Sequence, residues 1–181
     1  MWKIAMIQGQ QVRLRLKKLD DLVNDYMWRC DLELARFDAR PSQTTPFPDF
    51  LASYIQELTP SADGCRFAIE TFEGKQIGNC MYFNLDQNAG QVEIGIMIGD
   101  RTYWNQGYGA DAIKALVDHI FNTISVTTVC LHTLNWNMRA QHCFTKCGFY
   151  PCGFLLRDGH SFIRMETTRS RWWTGQKSKE S

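Results

Sequence analysis

Residues 12–16, VRLRL, alternate apolar and polar positions, the period of a strand with one buried face. CRFAIETF (65–72) reads as a second strand. GK at 74–75 turns it into IGNCMYFNL (77–85), and DQNAG (86–90) leads into QVEIGIMI (91–98). Such turn spacing predicts an antiparallel meander. In QVEIGIMI, Val92, Ile94, Ile96 and Ile98 share one face, and Glu93, Gly95 and Met97 the other. The period then changes. Ile113, Leu116, Val117, Ile120 and Phe121 recur at helical spacing and predict a helix over about 109–122. TTVCLHTL (127–134) is a further strand. A short helix follows from about Met138 to Cys147, with Gly148 suited to its C′ position. FYPCGFLLR and SFIRMETT form a closing hairpin around DGH at 158–160. Nearer the N-terminus, Asp20 and Asp21 can cap a helix through about Trp28. Residues 38–48, DARPSQTTPFP, read as a loop, and a helix is expected over Phe50 to Leu58. The last eight residues, TGQKSKES, are expected to be disordered. The order of elements gives a mixed, mostly antiparallel sheet with helices, α+β or α/β in class.

Length confines this pattern to one domain, because 181 residues bury one real core and are too few for two ordinary ones. We take residues 1–181 as a single domain with its core at about 10–170. With 44% hydrophobic and 22% charged residues and a net charge of +1, the chain carries no basic stripe for nucleic acid. No apolar run approaches a membrane span, and MWKIAMIQGQQ lacks the apolar segment and cleavage site of a signal peptide. Seven scattered cysteines are therefore read as reduced thiols of a cytoplasmic protein. Cys143, Cys147 and Cys152 lie close together beside His142, but there is no CxxC pair, so buried thiols are expected and no metal. A reactive Cys143 is kept as a minor option. A sheet with exposed edges often pairs, which makes a homodimer one arrangement the chain allows.

The chemistry concentrates in YWNQGYGADA (103–112), where Gly107 and Gly109 run into a helix start. Two glycines there can simply relieve a turn. They can also let a phosphate approach the backbone, since the first N–H groups of a helix lack partners and its dipole favours an anion. No Lys or Ser/Thr follows at P-loop spacing. GYGADA matches the dinucleotide pattern literally. However, no Asp or Glu lies between Asp118 and Asp158 to hold a ribose hydroxyl.

Two motifs in order then carry a resemblance. Trp104-Asn105-Gln106-Gly107-Tyr108-Gly109 is similar to the [QR]-x-x-G-x-[GA] loop of the GNAT superfamily of acyl-CoA N-acyltransferases. Trp at its first position resembles the YWxxGY variant of the RimJ/RimL-like branch, which acetylates protein N-termini and assorted small amines. NMRAQHCFTKCGFYPCG (137–153) matches the Asn-x-x-Ala…Lys-x-Gly-Phe signature of that branch, and VRLRLKKLDDL resembles its first strand. The likeness covers roughly residues 10–170.

This resemblance implies a splayed sheet in which the pantetheine arm of acetyl-CoA lies between strands 91–98 and 127–134. The backbone of Ile96, Met97 and Ile98 would hold the pantetheine. Amides of Asn105, Gln106, Gly107, Tyr108, Gly109 and Ala110 would hold the pyrophosphate. Asn137 would hydrogen-bond the cofactor and Arg139 would reach its phosphates. The acetyl group would pass directly to an amine, either a peptide N-terminus or a small molecule. An amide near Met97 or Ile98 would stabilise the oxyanion, and Glu93 would act as base or grip the amine. Family members often place a Tyr seven residues after the Asn. Phe144 stands there instead and has no proton to give, which leaves a non-catalytic acyl-CoA-binding module as the alternative. Tyr82, His132, Trp28, Trp172 and Trp173 are candidates for lining the acceptor pocket or covering core.

Overall fold

A computed structural model describes residues 6–42, 44–58 and 61–177. They form an eight-stranded sheet in the order β1-β2-β3-β4-β5-β6-β8-β7. The strands are β1 (Ile7–Gln8), β2 (Val12–Leu16), β3 (Cys65–Thr71), β4 (Gln76–Asp86), β5 (Gln91–Ile98), β6 (Thr128–Leu134), β7 (Tyr150–Arg157) and β8 (His160–Thr168). Helices α1 (Leu22–Cys30), α2 (Leu32–Phe37) and α3 (Phe47–Glu57) lie between β2 and β3. Helix α4 (Tyr108–Thr123) joins β5 to β6, α5 (Met138–Lys146) joins β6 to β7, and α6 (Arg169–Lys177) follows β8. The meander of β2 to β5 is antiparallel, as its turns predict, and β6 joins it parallel to β5.

One face of the sheet carries the main core. Val12, Leu14, Phe67, Ile69, Val92, Ile94, Val129 and Leu131 pack there against Ile113, Leu116, Val117 and Ile120 of α4. All twelve are at most 3% exposed, so each Leu or Ile contributes on the order of 2 kcal/mol of burial. The opposite face presents Asn79, Met81, Gly95 and Met97, the alternate positions of β4 and β5. Helices α1 and α3 pack together on a smaller cluster of Leu22, Phe50 and Tyr54.

One expectation changes here and one open alternative is resolved. The C-terminal stretch from Thr174 continues α6 to Lys177 instead of beginning a disordered tail, and residues 178–181 lie outside the described residues. Trp172 anchors that helix: it is 5% exposed, donates from Nε1 to Asp118 Oδ1 at 2.6 Å, and sits among Phe121 and Phe149. Trp172 and Trp173 accordingly cover core.

Candidate active site

The site begins where β5 and β6 part. They are paired only from Gln91↔Thr128 to Glu93↔Cys130. Beyond Glu93 the strands diverge, and Ile96, Met97 and Ile98 line an open cleft of about 570 Å3. Direction along the backbone decides which groups face the gap. Gly99 N–H donates to Ile77 of β4, while the carbonyl of Gly90 takes Thr127 and Thr128 on the β6 side. Alternation therefore turns the amides of Ile96 and Ile98 into the gap and commits that of Met97 to the β4 ladder, in register with Asn79. Of the two residues expected to offer an amide to the oxyanion, Ile98 turns its amide into the gap, as Ile96 does, and Met97 does not. Met97 remains a wall of the cleft.

Trp104 closes the end of the gap. Its indole N–H donates to the Ile98 carbonyl at 2.7 Å, and its ring lies under the Arg139 guanidinium at 3.6 Å. Phe37 adds a second ring 4.8 Å from the same guanidinium. Arg139 is thereby held over the cleft by two aromatic faces, with burial lowering its pKa. This stack was not legible in sequence, because its three members are far apart in the chain.

Beside it lies the glycine loop. Asn105 and Gly107 adopt left-handed conformations, φ 60° and 91°. Gly107 is the residue preceding α4, and the first intrahelical bond runs from Asp111 N–H to Gly107 at 2.9 Å. The amides of Tyr108, Gly109 and Ala110 therefore have no acceptor within the helix. Left-handed residues followed by a helix start make a concave nest of N–H groups suited to a diphosphate. The two glycines differ in role. Only Gly107 needs its φ, whereas a Cβ on Gly109 would meet nothing closer than Ile98 Cγ1 at 3.6 Å. The fold itself therefore does not require glycine at 109. Gln106 bonds back to the Thr102 carbonyl, and Tyr108 packs edge-on to Tyr103 at 5.0 Å. These two expected residues offer backbone only.

Across the cleft, Asn137 caps α5. Its Oδ1 accepts from Ala140 N–H at 3.2 Å, and no described hydrogen bond engages its Nδ2. Phe144 is 7% exposed, lines the cleft and packs on Phe149 at 6.1 Å. Cys143 also lines it, and a hydrogen bond with Cys147 holds its thiol below the usual range. Cys152 lies apart and exposed on β7, and the described residues hold no cluster of His, Cys, Asp and Glu fit for a metal ion.

A second cleft, of about 450 Å3, opens on the α1–α3 side. Leu34, Asp38, Ile96 and Met97 line both clefts, so the two meet at the open part of β5. Trp28 lies in its wall, flat against Gly99, where a Cβ would come within 2.2 Å of the ring. Tyr82 instead packs on Phe67 in the core, 6.2 Å away. Beneath the cleft is a buried polar network. Asp25 accepts from Lys17, from Tyr54 at 2.7 Å, from Asn79 at 2.7 Å and from Gln76 at 3.2 Å. Burial pushes the Lys17 ammonium down despite that carboxylate.

Neither Glu93 nor His132 lines either cleft. Glu93 Oε1 lies 2.7 Å from Nδ1 of His132, and Oε2 accepts from Asn84 at 3.2 Å. His132 lies two residues beyond Cys130, the last β6 residue paired with β5, where the gap begins.

A family model for an acetyltransferase (GNAT) domain matches residues 12–150. The uncharacterized N-acetyltransferase p20 of Bacillus licheniformis is 26% identical over 155 residues, 82% of this chain and 84% of that protein. An aminoglycoside N(6')-acetyltransferase type 1 of Klebsiella pneumoniae is 24% identical, covering 93% of this chain and 88% of that one. Among solved structures, a spermidine N-acetyltransferase from Vibrio cholerae in complex with CoA and spermine superposes with a TM-score of 0.81. Its identity is 19%, over 91% of this chain and 99% of that one.

Proposed function

The chain belongs to the acetyltransferase (GNAT) domain family and is an acetyl-CoA-dependent N-acetyltransferase, and we propose how its own residues divide the work. The carrying observation is the unfilled edge of β5. It runs from the nest at Asn105–Ala110 to the junction of the two clefts. The nest holds the diphosphate, Arg139 adds charge from its aromatic stack, and the backbone of Ile96 and Ile98 pairs with the pantetheine arm. This lays the thioester at the junction, facing the second cleft, from which the amine arrives. YWNQGY with its Trp104 supports a place in the RimJ/RimL-like branch.

Transfer forms a C–N bond and breaks the C–S bond at one carbonyl. An amide of Ile96 or Ile98 donates to the oxygen as it gathers negative charge. The amine must lose a proton. We assign its acceptance to the Glu93–His132 pair: a carboxylate on Nδ1–H fixes the tautomer and leaves Nε2 as the base. Glu93 then acts through His132, and Nε2 would have to reach the thioester from beside the cleft wall that Gly95 and Ile96 form. The thiolate is a good leaving group, so Phe144 in place of an acid is compatible with turnover.

The test is coenzyme A release from acetyl-CoA across an amine panel, with calorimetry of acetyl-CoA binding. His132→Ala should lower kcat by about 10²-fold or more and leave acetyl-CoA binding intact. Glu93→Gln should fall between. Gly107→Val should abolish binding. Unchanged kcat in His132→Ala removes the pair from the mechanism. Binding without turnover across the panel would favour the non-catalytic module.

A further inference from the structure

This inference rests on the second cleft being the acceptor site. We propose that the acceptor is an amine bearing a carboxylate at its far end, and not a polycation. The charge arrangement of the cleft carries the argument. Among the described residues, four cationic side chains and three carboxylates line it. Asp25 is 3% exposed and already accepts from four donors, so it has nothing to offer an incoming ammonium. Asp38 stands at the junction with the cofactor cleft, in an exposed and therefore weak pair with Arg40 at 3.4 Å. It is the one lining carboxylate positioned to meet the reacting end of an amine.

The far end has the opposite sign. Arg29 and Arg66 both reach the same oxygen of Glu57, at 3.5 and 3.2 Å. One carboxylate cannot satisfy two guanidiniums, each with five N–H donors. Their side chains are 37% and 42% exposed, so the surplus positive charge is open to a ligand. Arg29 is braced by the Phe50 ring at 5.8 Å, while Arg66 rises from β3. A carboxylate can bridge such a pair in the bidentate geometry that arginine favours. A second ammonium there would meet like charge.

The spacing follows from the sheet. Arg66 is in register with Met81, and Met81 with Gly95. Two strand spacings separate Arg66 from the open part of β5, about 10 Å. An acceptor spanning the cleft therefore carries its anionic group at about that distance from the reacting nitrogen, as a short peptide or a long amino acid does. The V. cholerae neighbour was solved with spermine, a polyamine. The present cleft is ordered for a dipolar acceptor instead.

The test titrates 8-aminooctanoate, 1,8-diaminooctane and octylamine into the protein loaded with coenzyme A, read by calorimetry. The expected order is 8-aminooctanoate tightest, by about tenfold or more over the diamine. Arg66→Glu should reverse that order, with coenzyme A binding unchanged as the folding control. Equal binding of the three, tighter binding of the diamine, or no binding of any overturns the proposal, even if no Arg66 variant folds. Coenzyme A release from acetyl-CoA with any amine is scored separately and reports on the transferase mechanism.

Discussion

Asp111 is the residue whose loss should be felt most widely. It lies in the first turn of α4, is 8% exposed, and its carboxylate accepts three backbone amides. These come from Gln10 at 2.9 Å, Gln11 at 2.7 Å and Val12 at 3.0 Å. The turn before β2 is thereby tied to the helix start proposed to hold the diphosphate. Each bond to a carboxylate is worth roughly 1.5–3 kcal/mol. The full sum does not apply, since Gln10 and Gln11 are exposed and water replaces the lost acceptor. Val12 is 0% exposed and its N–H would be stranded. We therefore expect Asp111→Ala to cost about 3–5 kcal/mol, which lowers Tm by roughly 6–20 °C for a domain of this size. Gly9 supplies an independent check. A Cβ there would stand 2.4 Å from Asp111 Oδ2, so Gly9→Ala should expel the same carboxylate. The double variant should then cost less than the two singles added, with a coupling of about 1–3 kcal/mol. Urea unfolding with unchanged m would measure all three. A loss under about 1 kcal/mol for Asp111→Ala, or simple additivity, would refute the reasoning.

Two further outcomes follow from the titrating groups. Burial alone would raise the Asp21 carboxyl, but Arg15 at 2.7 Å and the Lys18 amide hold it below its usual range. Such a group binds fewer protons folded than unfolded, so its stabilisation is complete above about pH 4 and is lost as pH falls through the lowered value. Asp21→Asn should destabilise at pH 7, and the gap should narrow below about pH 4; a gap constant with pH would sink this. Iodoacetamide should modify Cys143 ahead of the deeply buried Cys80, whose thiol burial pushes up, and coenzyme A should slow it, as followed by peptide mass.

Much of the fold was legible because its periods are clean. Residues 65–98 alternate through three strands, and α4 keeps five apolar residues on one stripe. What was missed lacked a period. Two residues of β1 are too few to show one. The six of α2 follow a good cap, Asp31, which accepts from the Glu33 and Leu34 amides, but make fewer than two turns. Helix α6 is polar apart from two tryptophans, and Trp172 holds it through contacts distant in sequence. The site divides in the same way. The nest was visible because left-handed backbone leaves a glycine mark. The parting of β5 from β6 was not, since Ile94, Ile96 and Ile98 stay apolar whether a strand or a ligand lies beside them. Resemblance supplied that feature. The strain-free Gly109, the Trp104–Arg139 stack and the sharing of Glu57 all depend on how remote segments meet.

The brief union of β5 with β6 also makes folding and co-substrate supply one problem. The sheet is two leaves joined by three residue pairs at one end. Whatever enters the slit adds rungs the polypeptide does not make, and a ligand at a hundred times its Kd adds about 2.7 kcal/mol to the native state. On the proposed binding mode, acetyl-CoA would thus make the native protein sturdier as its supply rises. The same slit that admits the reactant would set how long each copy survives proteolysis, so abundance of the enzyme would follow its fuel without any dedicated sensor.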